Sequence, residues 1–307
     1  MTKMTGSHQT SNVLTLIAPF AGGLKNRVIN QAREILENTG RNVAETIWLS
    51  EGEACDIAFS GSELATIEGH LRDTLQEKTL DLHVQSGLGR KKRLLIADMD
   101  STIVTSETLD ELAEFAGLKE QISTITAQAM NGEILFRDAF IQRVAMLKGL
   151  EITCMDQTYD QIEVTPGAAT LVATMKNNGA YTALASGGFR YFTSRIKQRL
   201  GFDFDIGNEI GIAEGKLNGL VSGDIVTKAK KQEVLMALAS ENGVELKDTL
   251  AVGDGANDLP MLNAAGLGVA YHAKPIVVAQ AKARISHADL TALLFLQGYR
   301  RDQFVSD

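Results

Sequence analysis

Two aspartates separated by one residue, Asp98 and Asp100, close the short apolar run Leu94-Leu95-Ile96-Ala97 and are followed by Ser101-Thr102. A run of this kind reads as a buried parallel strand. Side chains at i and i+2 of an extended segment point the same way, so both carboxylates are expected to share one space beyond the strand end. Open α/β sheets bind ligands there. Crowded carboxylates raise each other's pKa unless a cation neutralises them. Mg²⁺ prefers a couple of carboxylates together with phosphate oxygens and water, so the pair points to phosphoryl chemistry. The structural alternative is that one aspartate caps a following helix and the other is solvated.

Two further strand ends carry polar groups. Tyr181 to Ala185 reads as a strand stopping at Ser186-Gly187-Gly188, and Thr249 to Val252 runs into Gly253-Asp254-Gly255-Ala256-Asn257-Asp258. Parallel strands deliver such ends to one edge of a sheet. Lys231 opens a helical pattern through Ser240, while Lys228 and Lys230 read as its solvated face.

The elements that position these residues follow from the rhythm of the chain. Ahead of them, Val13 to Ala18, Leu24 to Asn38, Val43 to Leu49, Glu53 to Phe59, Leu64 to Leu75 and Leu80 to Val84 give the order β-α-β-β-α-β, a ferredoxin-like unit. Gln85 to Lys92 reads as a linker. After the aspartates, Thr108-Leu109-Asp110-Glu111 is a capping-box pattern. Helical spacing recurs across Ile122 to Met130, Ile134 to Lys148 and Met155 to Ile162. So long a helical connection between two strands of one sheet is expected to be functional, a lid over the strand ends. Strand and helix then alternate, with a hairpin turning at Glu214-Gly215.

Composition narrows the classes. The chain has 307 residues, 44% hydrophobic and 22% charged, with a net charge of -8. That balance argues against a generic nucleic-acid or anionic-membrane binder, which needs a basic face. Cys55 and Cys154 have no metal-ligand spacing and are expected to be free buried thiols. Apolar runs such as Leu290 to Leu296 are too short to span a bilayer, and the polar stretch Met1 to Asn12 has no apolar signal-peptide core, so the cytoplasm is expected. His272 and His287, with no partner motif around them, read as structural.

Asp98-Met99-Asp100-Ser101-Thr102 resembles the D-x-D-[ST]-[TV] motif of the haloacid dehalogenase-like phosphotransferases, with Ser186, Lys231 and Gly253-Asp254-Gly255-Ala256-Asn257-Asp258 matching the second, third and fourth motifs. Glu107, Phe136 to Lys148 and Ala185-Ser186-Gly187-Gly188-Phe189 further resemble the phosphoserine phosphatases of that family. The likeness implies a doubly wound, mainly parallel α/β core over residues 89–307, with a helical cap at about 107–164. Residues 1–88 would form an ACT-like regulatory or dimerisation domain, a likeness resting on element order alone.

The resemblance also implies roles. Asp98 would be the nucleophile, since a carboxylate of pKa about 3.9 is ionised at neutral pH without an activating base. Asp100 would be the general acid and base. Asp98, the backbone carbonyl of Asp100, and Asp254 would hold Mg²⁺. Ser186, Gly187 and Lys231 would bind phosphate, Asn257 would orient substrate, and Asp258 would support Lys231. Glu107 would pair with the ammonium of O-phosphoserine and Arg143, with Arg137 as rival, would fork onto its carboxylate. Met130 and Phe136 would line the pocket, or pack as core. A related enzyme acting on another small phosphate monoester, and an amino-acid sensor with a vestigial catalytic domain, are the alternatives.

Overall fold

The structure, a computed structural model, describes residues 12–75, 78–130 and 133–305; the side chain of Met130 also lies outside the described set. In the first unit, β1 (Asn12–Ile17), α1 (Asn26–Asn38), β2 (Val43–Ser50), β3 (Ala54–Phe59), α2 (Leu64–Leu75) and β4 (Asp81–Ser86) follow one another in the order read from the sequence. The four strands form an antiparallel sheet, β2-β3-β1-β4. Helical spacing buries Ile29, Ala32 and Leu36 on α1 and Ile67, Leu71 and Leu75 on α2. These join Leu14, Leu16, Ile57 and Phe59 in one cluster. Each fully buried leucine or isoleucine contributes about 1.5–3 kcal/mol, so this unit has a core of its own.

Residues up to Lys92 group with the segment from Arg284 onward, and Arg93–Ala283 form the second unit. Polar side chains link the two segments of the first unit. Asp81 accepts hydrogen bonds from the backbone N–H groups of Ser286 (2.7 Å), His287 (3.1 Å) and Ala288 (2.9 Å). Arg90, read as linker, pairs with Asp56 at 2.5 Å and donates to the carbonyls of Phe295 and Leu296.

The second unit opens with β5 (Leu94–Ala97), then α3 (Thr108–Phe115), α4 (Lys119–Met130), α5 (Phe136–Met146), α6 (Thr153–Asp160) and α7 (Ala168–Asn177). It continues through β6 (Tyr181–Phe189), α8 (Arg190–Leu200), β7 (Phe204–Ala213), β8 (Lys216–Ser222), α9 (Lys228–Glu241), β9 (Thr249–Gly253), α10 (Leu259–Ala264) and β10 (Leu267–Tyr271). The strands lie in the order β10-β9-β5-β6-β7-β8, parallel except for the β7–β8 hairpin. This is an α/β fold with a mainly parallel sheet, and α3 to α6 are inserted between β5 and β6. Leu94, Ile96, Ala183, Ala185, Ala251 and Leu235 pack in the core beneath the strand ends. Among the described residues, no helix is long and apolar enough to cross a membrane.

Register delivers the site. Ala97 pairs with Leu184 on β6 and Val252 on β9, so Asp98, Ser186 and Asp254 emerge at one edge. Two local expectations are corrected. The β6 strand does not stop at Ser186: pairing with β7 shifts register after Ala185 and resumes at Phe189 with Asn208, so Ser186-Gly187-Gly188 bulge within the strand. Thr108 does not open a capping box. Glu107 precedes the helix without a side-chain cap bond, and the Thr108 hydroxyl turns instead to Asp100.

Candidate active site

Asp98 leaves β5 with its backbone still extended and its carboxylate only 4% exposed. Its Oδ1 accepts from its neighbour Met99 N–H and stands 2.7 Å from Lys231 Nζ. Lys231, 1% exposed on α9, contacts Asp258 Oδ1 at the same distance. Burial pushes Asp98 well above the usual carboxylate range, helped by the negative charge of Asp258 and opposed by Lys231. Burial lowers the pKa of Lys231, but Asp258 and Asp98 outweigh it and hold the ammonium above its ordinary range. Asp258 is in turn fixed by Gly255 N–H, which donates to its Oδ2 at 3.1 Å.

Asp100 sits in the wide turn Met99–Ile103. Its Oδ1 accepts from both the N–H and the hydroxyl of Thr108, at 2.8 and 2.7 Å. Its Oδ2 accepts from Ser186 Oγ at 2.8 Å, and that oxygen accepts from Gly188 N–H at 2.8 Å. Behind the bulge, Asn208 donates to the carbonyl of Gly187 and accepts from Val226 N–H, both at 2.7 Å. The carboxylate of Asp100 is thereby aimed from three sides.

Asp254 follows β9, and burial together with Asp98 pushes it up to about 6. Carboxylate oxygens of Asp98, Asp254 and Asp258 lie within 4.8 Å of one another. Three buried carboxylates beside one ammonium carry excess negative charge, which is costly in a low dielectric. Their oxygens fit a hard divalent cation. Asp258 has both oxygens engaged, while Asp254 has one long contact, 3.4 Å from the Thr102 hydroxyl.

The helical insertion supplies the other wall. Asp98, Asp100, Asp254, Glu107, Arg143 and Asn257 line one pocket with Gly187, Phe136 and Phe140. Burial and the charge of Asp100 push Glu107 up to about 7, against a 2.7 Å hydrogen bond from Ser101. Arg143 is buried on α5, with Nη1 2.9 Å from Thr126 Oγ1 and its guanidinium over the Phe140 ring. Among the described residues it forms no ion pair. Phe136 stacks on Phe140, while Met130 falls among the side chains not described. Arg137 is exposed and lies outside this pocket's lining.

Sequence reasoning missed Thr108, Thr126, Asn208 and Lys274. The first three act through one or two hydrogen bonds each, which leave no periodic trace. Lys274, which lines the pocket, follows β10 at a fourth strand end, a signal that reading the neighbouring strand would have found.

Residues 92–266 match the family of haloacid dehalogenase-like hydrolases. A phosphoserine phosphatase of Archaeoglobus fulgidus is 40% identical over 233 residues, 75% of this chain and 68% of that protein. The chain spans about two thirds of the length of the first curated relatives it matches, 62% and 65% in two of them. Among solved structures, a HAD-family hydrolase from Salmonella enterica subsp. enterica serovar Typhi is similar with a TM-score of 0.83 at 29% identity, covering 94% of this chain and 98% of that one. A substrate-bound phosphoserine phosphatase complex is similar with a TM-score of 0.64 at 40% identity, covering 67% and 98%. With its motif residues gathered around one pocket and this breadth of matching sequence, the chain belongs to the haloacid dehalogenase-like hydrolases and, among them, to the phosphoserine phosphatase group.

Proposed function

We propose that the protein hydrolyses O-phospho-L-serine to L-serine and phosphate through a phosphorylated Asp98. The observation that carries this reading is one pocket lined on one wall by Asp98, which contacts the buried Lys231, and on the other by Glu107 and Arg143. A phosphate monoester fits the first wall and an amino-acid head group the second. The relatives named phosphoserine phosphatase support the substrate class.

Asp98 attacks phosphorus, and the bond from phosphorus to the seryl oxygen breaks. Asp100 gives that oxygen its proton. The Asp100 carboxylate then takes a proton from water, whose oxygen attacks phosphorus; the bond from phosphorus to the Asp98 oxygen breaks, which frees phosphate and restores the Asp98 carboxylate. The Ser186 hydroxyl, Gly187 N–H and Lys231 bind phosphate oxygens as charge shifts. Asp258 keeps Lys231 aimed, and Asn257 orients the substrate from the rim. Asp98, the Asp100 carbonyl and Asp254 would hold Mg²⁺, which when bound screens the nucleophile from the phosphate charge.

We read α3 to α6 as a cap that shields the reaction from bulk water, with Phe136 and Met130 as its apolar lining. We read the N-terminal unit as ACT-like, serving a small-molecule effector or a homodimer. The reaction would be the last step of L-serine synthesis in the cytoplasm, where the free Cys55 and Cys154 suit a reducing compartment.

The test is phosphate release from O-phospho-L-serine, phosphothreonine and a sugar phosphate, with Mg²⁺ or EDTA, by wild type and Asp98→Asn. Fast, metal-dependent release from phosphoserine that vanishes in Asp98→Asn supports the reading. Preference for another ester removes the roles given to Glu107 and Arg143. No release from any ester removes the catalytic reading and favours a sensor.

A further inference from the structure

A buried guanidinium is normally met by a carboxylate. Among the described residues Arg143 is not: its neighbours are the Thr126 hydroxyl at 2.9 Å from Nη1, the carbonyl of Ala139 at 3.3 Å from Nε, and the face of Phe140. Asp110 is the carboxylate whose charge acts most on Arg143, yet it accepts a hydrogen bond from Ser123 at 2.9 Å and stands outside ion-pair distance. Ser123 and Thr126 lie three residues apart on α4, so one helix face engages both charges separately.

The direction of the Thr126 hydroxyl is fixed. Its proton goes to the carbonyl of Ile122 at 2.9 Å, leaving oxygen lone pairs for Arg143. A neutral acceptor orients the guanidinium without cancelling its charge. A carboxylate in the same place would hold Arg143 more tightly and repel an anionic ligand.

We propose that Thr126 is a specificity-determining positioning residue, whose hydroxyl holds the Arg143 guanidinium in the orientation that receives the substrate carboxylate. This rests on the reading of Arg143 given above. The half-buried Thr126 itself lines the pocket, so the hydroxyl and the guanidinium it holds face the same space.

The experiment compares O-phospho-L-serine with O-phosphoethanolamine, which differs only in lacking the carboxylate, for wild type, Thr126→Val, Thr126→Ser and Arg143→Ala. Thermal unfolding confirms that each variant is folded. Because it removes a hydrogen bond to a charged group, Thr126→Val should lose roughly tenfold or more in kcat/KM for phosphoserine, chiefly through KM. Phosphoethanolamine turnover should be unchanged, and Thr126→Ser should restore the preference. Equal losses on both substrates, or none, overturn the proposal. If Arg143→Ala collapses the preference and Thr126→Val does not, only the role of Thr126 falls. If Arg143→Ala leaves the preference intact, the reading of Arg143 itself falls, and Thr126 with it.

Discussion

Lys231 Nζ lies 2.7 Å from Oδ1 of Asp98, and both side chains are almost wholly buried. With Asp258 at the same distance on its other side, this ammonium joins α9 to the ends of β5 and β9. Removing one partner of a buried ion pair leaves uncompensated charge, at a cost of about 3–5 kcal/mol. Lys231→Met is therefore expected to lower the free energy of unfolding by about that amount in urea titrations and to abolish turnover. Wild-type stability in that variant would mean the contact contributes nothing net to the fold.

Glu107 gives a pH signature. Its folded pKa is raised from 4.5 to about 7, chiefly by burial and then by Asp100. Between those values the folded protein binds more protons than the unfolded chain, so this group's contribution is full below pH 4.5 and is lost as pH rises through about 7. Glu107→Gln keeps the shape and removes the titration. In EDTA, its Tm relative to wild type should climb between pH 4.5 and 7 and then level off. A flat difference across that range would show that Glu107 titrates normally.

Gly188 is small for a reason of space. A Cβ there would stand 2.9 Å from Asp100 Oδ2 and 3.0 Å from Ser186 Oγ, so Gly188→Ala must push both polar groups aside. Backbone strain plays no part, since Gly188 is not among the residues with positive φ. Misplacing groups that act on the substrate by about 1 Å can cost on the order of 10²-fold in rate. Turnover should fall by about that factor while the unfolding midpoint moves little; unchanged kcat would sink the account of Asp100 as a positioned acid.

What the sequence made legible was what repeats or clusters. Helical spacing on α1 and α2, the apolar run of β5 and the polar ends of β5, β6 and β9 all have a period or a motif. The contacts that aim the site have neither. Thr108 has local neighbours that suit a helix cap, but Asp100, eight residues earlier, competes for its hydroxyl and wins. Arg90 lies in a Gly-rich, basic stretch that reads as a linker, and only tertiary structure brings Asp56 to it. Long-range polar pairs of this kind are chosen by the fold, not by local propensity.

The carboxylate cluster yields the last prediction. Asp98, Asp254 and Asp258 crowd within 4.8 Å, but Asp258 is committed to Lys231 and to Gly255 N–H, whereas among the described residues the Asp254 carboxylate has only the 3.4 Å hydrogen bond from Thr102. A divalent cation that binds the folded state at about 100 times its Kd adds about 2.7 kcal/mol of stability. For a domain of this size that is roughly 5–10 °C in Tm. Mg²⁺ should raise the wild-type midpoint by that much relative to EDTA, and Asp254→Asn should abolish the rise. Asp258→Asn should lower the starting midpoint by loosening Lys231 while retaining a rise with Mg²⁺. If Asp258→Asn instead removes the rise and Asp254→Asn keeps it, the cation is held on the Lys231 side of the cluster, and the assignment of Asp254 as its ligand is wrong.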